Sequence, residues 1–149
     1  MIKIIDISLK DIARDVLNIQ IPSYKVEAEI IGTDEIPPLK DTVETLQVCK
    51  ETFFGYYEDK ELCGAISLKI EDNVVDIHRL IVHPTHFRKG VAQKLLNYVS
   101  SNFESEKIIV ATGSKNMPAV RFYEKNGFKK IREVTVNETL SLTFFEKKL

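Results

Sequence analysis

The stretch that decides the fold is Val82–Ala92, with the sequence VHPTHFRKGVA. A β-type run ends here, and a basic turn containing Gly90 opens an amphipathic helix. The first amides of a helix lack intrahelical partners and together carry about half a positive charge, so they favour an anion. Gly90 has no Cβ to hold a ligand oxygen away, and Arg88 and Lys89 add charge. The stretch predicts a phosphate or diphosphate site, although a plain turn with a solvated basic rim has the same pattern.

The composition limits the class of protein. With 149 residues, of which 44% are hydrophobic and 29% charged, we expect one globular domain over residues 1–149. The formal net charge of -1 gives no global basic field, so we expect no nucleic-acid partner. Cys49 and Cys63 are too few for a disulfide framework or a zinc site, and we expect reduced thiols and no metal. No apolar run approaches the roughly 20 residues that span a bilayer, and no signal segment is evident, so we expect a cytoplasmic protein without membrane contact.

Strand-like and helix-like segments alternate along the chain. A strand, a helix and a strand around Gly90 predict a parallel pair with a right-handed crossover, and the remaining strands predict antiparallel neighbours. The fold class is therefore α/β. The predicted elements are a strand from Ile2 to Ile7, a helix Leu9–Gln20 with Ser8 as its cap, a second helix and a loop between Pro22 and Gln47, strands Thr52–Tyr57, Leu62–Ile70 and Val74–Val82, the helix after Gly90, strand Lys107–Thr112, helix Pro118–Lys125, and strands Phe128–Val136 and Leu140–Lys147.

The strand Val74–Val82 contains an irregularity in its alternation. Polar Asp76 and His78 alternate with apolar residues, but Arg79 falls where an apolar residue is due. A slip of one residue predicts a β-bulge near Arg79 or Leu80, and bulges are frequent beside functional sites. Residues two apart share a face of a strand, so Asp76 and His78 can serve one cavity. A solvated strand face is the other interpretation.

Two motifs in order carry a family resemblance. The first motif begins with Leu80–Pro84 and ends with Lys89–Ala92. The second motif is Asn116–Phe128, with the sequence NMPAVRFYEKNGF. Together they resemble the GCN5-related N-acetyltransferase (GNAT) superfamily over roughly residues 52 to 130. The resemblance implies a mixed, mostly antiparallel sheet of about six to seven strands flanked by about four helices, with a β-bulge and splayed central strands. Phe87 departs from the family, which usually has Gln or Arg at that place.

The resemblance also implies acetyl-CoA as cosubstrate. Its diphosphate would lie on backbone amides of the loop and of the following helix, and its pantetheine arm would pair with the bulged strand. Asn116 matches an asparagine that contacts this arm, and it is also a plausible helix cap. The implied cofactor-binding residues are Leu80, Ile81, Val82, Arg88, Lys89, Gly90, Val91, Ala92 and Asn116.

The implied chemistry is attack of a neutral amine on the thioester. A lysine-like amine with a pKa of about 10.4 is protonated at pH 7, and its deprotonation costs roughly 4 to 5 kcal/mol. A base is therefore needed, and Asp76 and His78 are equal candidates. Tyr123 matches the family tyrosine that protonates or hydrogen-bonds the departing thiolate, with a core aromatic as the alternative. His83 and His86 are expected to be exposed loop residues.

The acceptor is the least defined partner. The segments expected on the acceptor side, within Pro22–Gln47, are rich in acidic residues that would attract a cationic small molecule or peptide amine. Such charges also suit a solvated face. The residues are Glu27, Glu29, Asp34, Glu35, Asp41 and Glu44. Two functional classes follow: an N-acetyltransferase that works by direct attack in a ternary complex, or a non-catalytic acyl-CoA-binding regulatory or sensor module. The choice between monomer and homodimer, and between nitrogen and oxygen acylation, stays open.

Overall fold

A computed structural model describes all 149 residues. Its strands are β1 (Ile2–Ile5), β2 (Thr52–Glu58), β3 (Glu61–Glu71), β4 (Val74–Val82), β5 (Lys107–Gly113), β6 (Lys129–Thr135) and β7 (Ser141–Lys148). Its α-helices are α1 (Lys10–Ile31), α2 (Val43–Gln47), α3 (Val91–Asn102) and α4 (Met117–Lys125). The strands form one sheet in the order β1-β2-β3-β4-β5-β7-β6, in which only β4 and β5 pair in parallel. This arrangement confirms the predicted α/β fold. None of the helices is long and apolar enough to cross a bilayer.

Helices cover both faces of the sheet. Alternate side chains of β3 point to opposite faces, so Ile66 and Leu68 join the core under α3 while Ala65 joins the core under α1 and α2. Burial on both faces explains the nearly continuous apolar run of β3. The inward stripe of α3 is Val91, Leu95, Leu96 and Val99, as the predicted amphipathic helix requires.

The first helix is longer than predicted. The sequence predicts an end at Gln20, before Pro22, but α1 continues to Ile31 and ends at Gly32, whose N–H donates to the Ala28 carbonyl at 2.8 Å. A proline removes one backbone donor, and burial of Ile19 before it and Ile31 after it outweighs that loss. The predicted Ser8 cap is also wrong, because the Ser8 amide and hydroxyl both donate to the Asp6 carboxylate.

The central strands separate at one end. β4 and β5 pair from Val74 opposite Lys107 as far as Ile77 opposite Val110. Beyond that point both strands continue but no longer pair with each other. In the β3–β4 ladder Leu68 faces Ile77 and the preceding Ser67 faces Arg79, which leaves His78 as the extra residue. The bulge therefore lies beside Arg79, which confirms the predicted bulge near Arg79 or Leu80. We call the gap between residues 78–82 and 111–113 the wedge.

Candidate active site

The loop before α3 presents unused backbone donors. Gly90 precedes the first helical residue with φ 77°, and Arg88 has φ 64°. These left-handed conformations turn the chain so that the amides from Arg88 to Ala92 donate to no acceptor within the protein. The side chains of Arg88 and Lys89 are exposed beside them. The loop thus combines free amides, the positive end of α3 and two cations, as an anion site requires.

The edge of β4 that faces the wedge also has free backbone groups. The His83 amide donates to the Cys63 carbonyl of β3 at 2.9 Å. Backbone groups alternate in direction along a strand, so Ile81 also faces β3, whereas Leu80 and Val82 face the wedge. An extended amide-containing ligand can therefore bond to Leu80 and Val82. Ile81 contributes its buried side chain to the core under α1 instead.

Tyr123 lies on α4 and is 6% exposed. Its ring packs against Phe122, Phe128 and Phe145, with ring centroids 5.3, 5.5 and 5.8 Å away. Burial raises the pKa of the Tyr123 phenol, and the negative charge of Glu27 raises that pKa further. The side chain is therefore both a core aromatic and a phenol that stays neutral and able to donate a hydrogen bond.

Glu27 is the functional candidate that the sequence did not single out. It reaches from α1 to the start of α4, where the Asn116 side-chain amide donates to Glu27 Oε1 at 3.0 Å. The side-chain oxygen Oδ1 of Asn116 accepts a hydrogen bond from the Ala119 backbone amide at 3.3 Å, which confirms that Asn116 caps α4. Burial raises the pKa of Glu27, and the hydrogen bond from Asn116 partly offsets this rise. We call Tyr24, Glu27, Asn116 and Tyr123 the Glu27 cluster.

A glycine at the end of β5 allows α1 to come this close. A Cβ on Gly113 would lie 2.5 Å from Ile31 Cδ1 and 3.8 Å from Glu27 Oε1. Ile31 is one helical turn beyond Glu27, and Tyr24 is one turn before it, so these three side chains lie on the same face of α1. The turn-by-turn spacing is visible in the sequence, since all three residues follow Pro22, in the segment predicted to contain the second helix.

Asp76 and His78 lie together, as the strand pattern predicts. His78 Nε2 is 3.3 Å from Asp76 Oδ2, and His78 Nδ1 is 3.6 Å from Glu51 Oε2. Burial raises the pKa of Asp76, while the neighbouring His78 opposes this effect. Because His78 is the bulged residue, Arg79 faces the same side, with its Nη2 3.4 Å from Asp41 Oδ2 and 3.6 Å from Glu51 Oε2. We call these five residues the acidic face.

Contacts with the sheet hold the acidic face in place. Ser67 donates to Glu51 Oε1 at 2.6 Å, and the Arg79 guanidinium lies 5.8 Å from the centre of the Phe53 ring. Gln20 donates to Asp41 at 2.8 Å.

Of the acidic residues that the sequence indicated, Glu27 and Asp41 turn inward, and the exposed ones are Glu29, Asp34, Glu35 and Glu44.

The loop histidines differ from each other. His83 accepts a hydrogen bond from the Thr85 amide at 3.2 Å, which is a turn-stabilising role. The side chain of His86 is only 13% exposed, with Nδ1 3.7 Å from Glu58 Oε2, so the expectation that it is exposed is wrong.

One ligand atom each of Glu58, Cys63 and His86 lies within 4.8 Å of the others. The expectation that no metal is needed stays a prediction.

Comparisons with known proteins agree with this geometry. The family described as the acetyltransferase (GNAT) family matches residues 13–128. The chain belongs to the GNAT family. This GNAT protein is 43% identical over 135 residues to the UPF0157 protein YqkA of Bacillus subtilis, an alignment covering 90% of the chain and 39% of that relative. It is 34% identical over 86 residues to spermidine N(1)-acetyltransferase of Thermoplasma acidophilum, covering 52% of the chain and 50% of that relative.

The fold of this GNAT protein matches solved structures along its whole length. PaiA N-acetyltransferase from Thermoplasma acidophilum, solved in complex with coenzyme A, superposes with a TM-score of 0.78 at 20% identity. The match covers 100% of the chain and 99% of that protein. The chain spans only 39% to 62% of the length of the curated relatives that it matches.

Proposed function

We propose that this GNAT protein transfers an acetyl group from acetyl-CoA to a primary amine by direct attack. The observation that carries the proposal is the wedge itself, which has free amides at one end and a half-buried carboxylate and a buried phenol beside it. Diphosphate would bind the amides from Arg88 to Ala92, and the pantetheine arm would bond to Leu80 and Val82. Donors of both kinds are unused within the chain, so the residues present fit this cosubstrate.

Residues of the chain have distinct tasks in this reaction. A carboxylate or an imidazole takes a proton from the bound ammonium, and the neutral nitrogen then attacks the thioester carbon. The C–S bond breaks, and the departing sulfur meets the Tyr123 hydroxyl. Because burial raises its pKa, Tyr123 acts chiefly by donating a hydrogen bond to sulfur. The strand pattern offers Asp76 and His78 as the candidate bases.

We propose an acceptor with positive charge. The acidic face contains three carboxylates, from Asp41, Glu51 and Asp76, and only one guanidinium, from Arg79. This excess of carboxylates attracts a cation. The similarity to a spermidine N(1)-acetyltransferase supports the same chemistry. An aliphatic diamine or polyamine therefore fits better than an amine without a second charge.

Matched acceptors test this proposal. Purified protein is incubated with acetyl-CoA and one of four acceptors, and the release of free thiol is measured. The acceptors are butylamine and three analogues of it that carry a hydroxyl, a carboxylate or a second amine at the other end of the chain. We expect thiol release with the diamine above the rate without acceptor, and a lower kcat/KM with the neutral and acidic analogues. Equal rates with all of them would refute the cationic acceptor.

Calorimetry with coenzyme A distinguishes the alternative function. Saturable binding together with no thiol release for any amine would favour the sensor module over the transferase. Absence of both binding and release would contradict both functions.

A further inference from the structure

We infer that Glu27 receives the acceptor's ammonium group and takes its proton before attack on the thioester. This inference rests on the proposed transfer reaction and identifies a catalytic residue for it. It differs from the assignment based on the strand pattern, which indicates Asp76 or His78.

Position is the first argument for Glu27. The residue crosses from α1 to Asn116 at the cap of α4, and it lies against Gly113 at the end of β5. These contacts hold the carboxylate beside the end of β5, which forms one side of the wedge. Its charge acts on the phenol of Tyr123, the residue expected to meet the departing sulfur. The carboxylate and the phenol are therefore neighbours.

The charge balance is the second argument. No Lys, Arg or His side chain forms an ion pair with Glu27. A half-buried carboxylate without a cation is unfavourable unless a ligand supplies the charge. An ammonium group meets that need, and the neighbouring rings of Tyr24 and Tyr123 also favour a cation.

The groups that face Glu27 define its titration. Asn116 from α4 donates to it, Tyr123 from α4 and Tyr24 from α1 are the titratable neighbours, and Gly113 on β5 has no charge. Both phenols have raised pKa values and stay neutral through the physiological range. Burial raises the pKa of Glu27, which brings it closer to that of the ammonium it must deprotonate.

Asp76 and His78 are occupied differently. They contact each other at 3.3 Å, and His78 also faces Glu51, so this pair belongs to the acidic face. The groups acting on Asp76 are His78, Glu71 and Glu51, and Tyr123 is not among them. We therefore assign the pair to attraction of the acceptor's remaining positive charge.

The reaction step balances with these groups alone. One N–H bond of the ammonium breaks as its proton moves to a Glu27 oxygen, and the nitrogen lone pair forms a bond to the thioester carbon. The C–S bond then breaks with its electron pair on sulfur, which Tyr123 hydrogen-bonds. The proton on Glu27 passes to solvent, which regenerates the carboxylate. The nitrogen attached to the acetyl carbon then loses its second proton through Glu27 to solvent or to the thiolate, which leaves the neutral amide.

The test compares Glu27→Gln with Glu104→Gln. Glutamine has nearly the same shape and can still accept from Asn116, so the first variant removes only the charge and the basicity. Glu104 is exposed in the loop before β5, at the other end of that strand from Gly113, so the second variant loses an equal charge away from the wedge. Both variants are assayed for thiol release across pH with the most active amine, and their affinity for coenzyme A is measured by calorimetry.

We expect Glu27→Gln to lower kcat/KM by about 10²- to 10⁴-fold, the range for loss of a general base. Its defect should shrink as pH rises toward the pKa of the amine, and also with primary amines of lower pKa, because these supply the neutral nitrogen without help. Coenzyme A affinity should be unchanged, and Glu104→Gln should match wild type. A merely structural role would give a defect independent of pH and of amine pKa.

Two results would overturn the inference in distinguishable ways. If wild type turns over and Glu27→Gln keeps its rate and pH profile, Glu27 is not the base, and the same loss in Asp76→Asn would return the role to the strand pair. If wild type releases no thiol with any amine, the proposed function fails first and the inference falls with it.

Discussion

Replacement of Gly90 by Val tests whether the loop before α3 binds the diphosphate. Gly90 has φ 77°, and a Cβ added there meets no atom within 4 Å, so the substitution acts through backbone strain alone. A left-handed conformation costs an L-residue about 1–2 kcal/mol, and a β-branched side chain tolerates it poorly. The loop relieves this strain by turning its amides away from the ligand.

The expected loss of affinity follows from the hydrogen bonds involved. Each bond to a charged group contributes about 1.5–3 kcal/mol, so loss of two costs about 3–6 kcal/mol. At about 1.4 kcal/mol per factor of ten, the Kd for coenzyme A should rise by about 10²- to 10⁴-fold. Isothermal titration calorimetry measures this change directly, and thermal unfolding reports the cost to the fold.

Gly32→Val is the matched control. Gly32 ends α1 with φ 88°, and its Cβ would also meet nothing within 4 Å, so the strain is the same while the anion site is untouched. Both variants should unfold a few degrees below wild type, since about 1 kcal/mol lowers Tm by about 2–4 °C in chains of this size. Only Gly90→Val should lose coenzyme A affinity. Wild-type affinity for coenzyme A in both variants would refute the anion site. An equal loss of affinity in both variants would indicate a global effect.

Further predictions concern the phenol, the close approach of α1 and the buried acid. Tyr123→Phe should lower kcat by about ten-fold or more while the Kd for coenzyme A stays near that of wild type, and an unchanged kcat would exclude the hydroxyl from the reaction. Gly113→Ala should lower the free energy of unfolding by about 1–3 kcal/mol in denaturant titrations, because its methyl group meets Ile31 at 2.5 Å. Because burial raises the pKa of Glu27, the folded state binds a proton more readily than the unfolded state. Wild type should therefore gain stability relative to Glu27→Gln as pH falls from the raised pKa toward the ordinary value of 4.5, and a constant difference in Tm would contradict this burial.

The sequence predicts most of the fold because its strongest signals are local. The alternation in Val74–Val82, the glycine turn and the four-residue spacing of α3 each fix an element without long-range information. Pro22 gives a misleading local signal, since the packing of α1 on the sheet outweighs one lost hydrogen bond. Tertiary packing of this kind is not visible in residue order.

The site divides in the same way. The Asp76–His78 pair could be predicted because two-residue spacing fixes a shared face, and the bulge could be predicted because Arg79 interrupts the alternation. Glu27 could not be selected, since its significance depends on Asn116, which is 89 positions away in the chain. A long-range contact turns one of several acidic residues into a candidate base.

The binding site is tested most directly by titrating coenzyme A into isotopically labelled protein and following every backbone amide by nuclear magnetic resonance. We expect saturable shifts at Leu80, Val82 and the amides from Arg88 to Ala92, with little change at the distant β6. Saturation that shifts other amides and leaves the wedge and its loop unchanged would contradict the site, and with it the proposed transfer reaction.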